Sequence, residues 1–214
     1  KEVVLMQNFP PKLSQNAIIA EKFIINSGVI VIDPDSTWIS PDINIGHGTI
    51  IYPNSYLIGD NRSFIGENCE IGPNAFLRDS FGIGNRVKIG FNAEVVRSFI
   101  GSETKIPHFC HIGDATIGQC CNIAAVTVFC NYNGNKKQII VIGNYVFIGS
   151  GANLIAPVTI ADYAYIAAGA IVSKDVKRYS VVIGVNKVLK GKKSYYQPLD
   201  GWRIYPINEH PTCK

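Results

Sequence analysis

The sequence predicts an all-β fold, a parallel coil of short strands wound on three flat faces. Three observations carry that prediction. First, an aliphatic residue recurs every six positions through Ile65, Ile71, Leu77, Ile83, Ile89 and Val95. After single five-residue steps the beat resumes at Ile100, Ile106 and Ile112, and then at Ile117 and Ile123. A third run goes from Ile142 through Ile148, Leu154, Ile160 and Ile166 to Val172. Second, glycine follows the aliphatic residue in most repeats, and asparagine often stands two places further on (Asn68, Asn74, Asn92), as tight corners require. Third, a six-residue period is neither helical nor a plain strand alternation. It fits one strand plus one corner, so that three repeats, about 18 residues, close a turn and aliphatic residues stack about 4.8 Å apart.

The elements follow in chain order. "SQNAIIAEKFIINSG" (14–28) reads as a helix: Ser14 caps it, Ile18, Ile19, Phe23 and Ile24 recur at helical spacing, and Gly28 closes it. The boundaries expected are a helix and lead-in over 1–42, the coil over 43–176, and a C-terminal segment over 177–214. "NYNGNKKQ" (131–138) is polar, carries an Asn-Gly turn signal and should loop out of the coil. "LRDSFG" around Arg78 is a smaller irregularity. The last segment, with Pro198, Trp202, Tyr205, Pro206 and Pro211, reads as an irregular tail held against something.

Composition narrows the class. Hydrophobic residues make up 47% of the 214 and charged residues only 17%, which suits a folded chain. The net charge of +4 is mild, and Lys187, Lys190, Lys192 and Lys193 read as a solvated tail, with an anionic small ligand or a nucleic acid as the alternative. No aromatic-interleaved basic stripe accompanies them, so nucleic acid is not an expected partner. Neither a signal peptide nor an apolar run of spanning length occurs, so no membrane association is expected. The six cysteines form no C-x-x-C pair; they read as reduced thiols in a cytoplasmic protein. Lysine rather than methionine at position 1 fits a start inside a longer product.

The chemistry-bearing stretch is "IPHFCHIGD" (106–114). On these residues alone, His108 is a base, half of a metal pair with His111, or a residue on a solvated face. Cys110 reads as a small buried filler rather than a nucleophile, because side chains alternate along a strand.

The repeats resemble those of hexapeptide-repeat acyltransferases. Together, "HIGDATIG", "CNYNG", "VFIGS", "LIAPVTI" and "YIAAGAIVSKDV" are similar to the acetyltransferase half of bacterial bifunctional enzymes that acetylate glucosamine-1-phosphate and then uridylylate the product. "AEKFIINSGVIVIDPDSTWI" resembles the same family's helix and entry to the coil. The resemblance covers the chain to about Lys193 and implies a left-handed coil, where general crossover rules alone favour the right hand. It also implies a homotrimer and acetyl-CoA as co-substrate. No Gly-rich nucleotidyltransferase loop occurs, so uridylyl transfer and its magnesium are not expected of this chain.

Carried over position by position, the resemblance puts His108 on the catalytic base, which must take a proton from the sugar amine at or before its attack on a thioester. Arg78 falls on a substrate-phosphate ligand, Asn122 on an amino-sugar contact and Lys137 on a phosphate partner. Ala125 lies where a backbone amide meets the acetyl carbonyl, and Asn131, Tyr132, Ser150 and Ala168 line the acetyl-CoA groove. Asp114 shapes backbone. A metal is not expected. Four departures stand out: Val96 replaces a phosphate-binding lysine, with Arg97 adjacent, and His111 replaces a substrate tyrosine. "AAVT" (124–127) replaces a small "GAGT" turn, and Val185 replaces an arginine toward CoA, with Lys187 close by. The reading is an acetyl-CoA-dependent N-acetyltransferase acting on an amino-sugar phosphate, glucosamine-1-phosphate or a relative, toward UDP-N-acetylglucosamine and the cell wall. The alternative is a silent β-helix that regulates or scaffolds a separate nucleotidyltransferase.

Overall fold

The computed structural model describes residues 28–197 and 201–206. They form a left-handed parallel β-helix followed by an antiparallel hairpin. The expected helix over 14–28 lies, apart from Gly28, outside the described residues. Face one is a ten-stranded sheet from Ile30–Val31 to Lys187–Val188, face two has eight strands from Trp38–Ile39 to Ile171–Val172, and face three has seven from Asn44–Ile45 to Val158–Ile160. The parallel ladder thus takes in Ile30–Val31 and Val181–Ile183, on either side of the boundaries at 43 and 176.

The six-residue beat is the inward column of each face. On face one Ile51, Ile71, Ile89 and Ile106 are register partners in successive turns. Leu57, Leu77, Val95 and Ile112 do the same on face two. Ile65, Ile83, Ile100 and Ile117 do so on face three. All of these side chains are buried, so the three columns are one continuous core. Each aliphatic side chain removed from water contributes about 1.5–3 kcal/mol.

The glycines after the beat serve close approach between turns, whereas the sequence suggested corner conformation. At Gly66 an added Cβ would lie 2.7 Å from the carbonyl carbon of Gly84 in the next turn. The left-handed residue comes two places later, at Asn68 (φ 54°), Arg86 (55°), Glu103 (63°) and Cys120 (55°).

The tail is regular where irregularity was expected. Lys192–Gln197 pairs antiparallel with Gly201–Pro206. Pro198 falls between the two strands in the sequence and Pro206 ends the second, so neither proline interrupts the ladder. The hairpin is held against face one: Trp202 Nε1 donates to the Tyr145 carbonyl at 2.8 Å, and Ser194 N–H to the Tyr179 carbonyl at 3.0 Å. Tyr145, Tyr163 and Tyr179 stack along the corner between faces three and one, 5.0 Å apart.

Candidate active site

His108 ends the face-one strand Lys105–His108, where the chain turns toward face two. Phe91 is its register partner in the preceding turn. The register Lys105–Asn122–Phe147–Tyr165, extended by three residues, places His108, Ala125, Ser150 and Ala168 in one column at this corner. Backbone bonds tie the column together: Val126 N–H to the Phe109 carbonyl (3.0 Å), Gly151 N–H to Ala125 (2.9 Å) and Gly169 N–H to Ser150 (2.8 Å). His108, Ser150 and Ala168 are exposed, and the His108 ring makes no hydrogen bond among the described residues. The N–H groups of Ala125, Ser150 and Ala168 also have no acceptor among the described residues. An exposed imidazole thus stands at the head of a line of unused backbone donors, the two kinds of group that acyl transfer from a thioester requires.

A second cluster lies along face two and its far corner. Arg78 donates from Nε to Glu94 Oε1 at 2.8 Å, and Glu94 Oε2 takes His111 Nδ1 at 2.8 Å. Arg97 forks onto Asp114 at 2.6 and 2.9 Å and also pairs with Asp79 at 2.5 Å. Asn131 Nδ2 donates to Asp114 at 2.5 Å. The Arg97 guanidinium, helped by the Asn131 amide, holds the Asp114 carboxyl below the ordinary range despite partial burial. Burial pushes Glu94 up, but the His111 and Arg78 bonds outweigh it and leave Glu94 lowered. Val96, in the lysine's place, is buried at 1% exposure and adds no charge.

The remaining expected residues are distributed less compactly. Asn122 lies on face one, lining a cleft of about 480 Å³ with Arg86, Glu103, Lys105 and the hairpin's Trp202, so one chain does not bring it to Arg78 and His111 on face two. Asn131 is buried and its amide is engaged by Asp114 rather than open to a ligand. Tyr132 and Lys137 are exposed and pair as a bridge across the protruding loop. Cys110 is buried; its thiol donates to the His108 carbonyl at 2.8 Å, and burial pushes it up to about 11, which favours the neutral thiol over a nucleophilic thiolate near neutrality. Among the described residues no group of three metal-ligating side chains occurs, and no helix is long and apolar enough to cross a membrane.

Sequence reasoning missed Glu94 and Asp79. The signal was present as spacing: Asp79, Arg97 and Asp114 lie one turn apart, and all three have left-handed backbone at the same corner (φ 62°, 47° and 51°). Opposite charges at the turn length predict a ladder of ion pairs.

Residues 139–174 match the bacterial transferase hexapeptide (six repeats) family. The chain is 36% identical, over 87% of its length and 48% of theirs, to a bifunctional protein GlmU of Clostridium botulinum. It is also 36% identical to the GlmU of Carboxydothermus hydrogenoformans, over 75% of this chain and 43% of that one. It therefore spans about half the length of the curated relatives it matches. Among solved structures, a UDP-N-acetylglucosamine acyltransferase aligns with 76% of this chain and 68% of its own, at 19% identity and a TM-score of 0.46.

Proposed function

The chain belongs to the bacterial transferase hexapeptide family, as a homologue of about half of GlmU, and we propose that it is an acetyl-CoA-dependent N-acetyltransferase. The acceptor is an amino-sugar phosphate, glucosamine-1-phosphate or a relative. The observation that carries this reading is the corner column of His108, Ala125, Ser150 and Ala168, positions that the sequence resemblance assigned separately. In the mechanism, acetyl-CoA lies along that corner with its carbonyl oxygen at the Ala125 N–H. The exposed His108 imidazole takes a proton from the attacking amine and gives it to the departing thiolate. Arg78 and the cations Arg97 and Lys137 meet the phosphate. One chain leaves Asn122 on a different face from Arg78 and His111, so a site built from all three needs a second copy of the chain, in keeping with the homotrimer the resemblance implies.

The test is thiol release from acetyl-CoA with a panel of amino sugars. Turnover with at least one of them, lowered about 10²-fold or more by His108→Ala, is expected; no turnover with any contradicts the reading. A second reading, a catalytically silent scaffold for a separate nucleotidyltransferase, is favoured by one observation: Arg78 is already satisfied by Glu94 and Asp79. In that case the panel gives no turnover.

A further inference from the structure

We propose that His111, oriented by Glu94, is a second proton acceptor on face two, the group that removes the first proton from the acceptor ammonium. This rests on the acyltransfer reading above. The proton count motivates it. An ammonium acceptor must shed two protons: one to expose the lone pair, and one after the carbon–nitrogen bond forms. The departing CoA thiolate takes only one, so RNH3+ and acetyl-CoA give the amide, free CoA thiol and one proton over. His108 carries the proton that ends on sulfur, and the other goes to solvent before binding or, where the ammonium itself binds, to a second group of the site.

The geometry of His111 suits that task. Nδ1 lies 2.8 Å from Glu94 Oε2, and Glu94 is kept ionised by Arg78 at 2.8 Å. A carboxylate can only accept, so the shared proton sits on Nδ1 and Nε2 keeps its lone pair. Nε2 lies over Gly113, 3.0 Å from where a Cβ there would stand, so no side chain of that residue screens it. The ring remains partly open to solvent, at 36% side-chain exposure. His108 and His111 are three residues apart, which bounds their α-carbon separation at about 10 Å.

The charged and titratable groups around His111 are few. Glu94 and Arg78 precede it on face two, and Asp79, Arg97 and Asp114 hold the far corner. Cys130 follows on the next strand, Lys137 stands on the loop, and His108 lies across the near corner. Both guanidiniums are paired to carboxylates, which offset part of their opposition to a positive charge arriving on the imidazole.

Thiol release with glucosamine-1-phosphate and with glucosamine, followed across pH for wild type, His111→Gln and Glu94→Gln, tests this. For His111→Gln, kcat below neutrality falls about 10²-fold with KM nearly unchanged. The deficit shrinks as pH rises above the acceptor amine's own pKa, because the amine then arrives deprotonated. Glu94→Gln lowers kcat over the same pH range with KM nearly unchanged, since the ring loses the acceptor that holds its proton on Nδ1. A deficit of equal size at every pH, or one confined to KM, makes His111 a substrate contact and overturns the proposal while leaving the acetyltransferase reading intact. Wild type inactive with every amino sugar of the panel overturns both. Nitrogen-15 spectra of the wild-type imidazole give an activity-free check: a proton on Nδ1 is expected, and one on Nε2 contradicts the proposal.

Discussion

Val126 stands in left-handed backbone, φ 61°, where a β-branched side chain is strained, and it is largely exposed. Replacing it with glycine relieves about 1–2 kcal/mol of that strain, part of which glycine's extra chain entropy offsets. Val126→Gly should therefore raise Tm by about 2–4 °C for a net gain near 1 kcal/mol; an unchanged or lower Tm refutes this. Gly113 has the opposite constraint. A Cβ there would meet Asn131 Nδ2 and His111 Nε2, so Gly113→Ala pushes the Asn131 amide off Asp114 and costs about 1.5–3 kcal/mol. Denaturant unfolding reads that loss directly. The carboxylates add a pH prediction. Asp114 and Glu94 are lowered in the folded chain, so the stability they contribute is present above the ordinary carboxylate range and is lost as pH falls through the folded values. Tm should hold down to about pH 5 and fall below it, with Asp114→Asn showing a lower but flatter profile.

At the scale of elements, the hairpin is the piece the sequence misrepresented. Its prolines suggested irregularity, yet Lys192–Gln197 and Gly201–Pro206 pair over six register partners. The Asp-Gly dipeptide at 200–201 between two runs of β-formers was the available cue in the sequence. Trp202 fastens the hairpin through its indole bond to Tyr145 and ring contacts with Phe147 and Tyr196. Trp202→Ala removes about 1–3 kcal/mol, so amide exchange across 192–206 should speed up by tenfold or more while the coil stays protected. Slow exchange in both would show that the strand ladder alone holds the hairpin. The corner between faces two and three was half legible. Its five-residue steps after Val95 and Ile112 were visible in the beat. The ion-pair ladder they position was not, because pairing across turns depends on register.

For the whole molecule, legibility was greatest where one rule repeats. Every inward aliphatic residue is set by the same short-range pattern, so the coil could be read from spacing alone. Convergence of Arg78, His111 and Asn122 depends on which face each occupies, and spacing leaves that to the register. A coil whose turns touch only their neighbours is weakened most in its middle. Ile106→Ala, fully buried between Ile89 and Ile123, should cost about 2–5 kcal/mol. Ile45→Ala near the first turn should cost visibly less, as urea midpoints will show. The central claim is that the corner column headed by His108 seats acetyl-CoA. Calorimetric titration of acetyl-CoA into wild type, Ala168→Trp and Thr116→Trp tests it most directly. The account predicts binding weakened at least about tenfold, or 1.4 kcal/mol, by the indole at 168. The exposed face-three control at 116 should leave it unchanged. Equal affinities in all three proteins would contradict it.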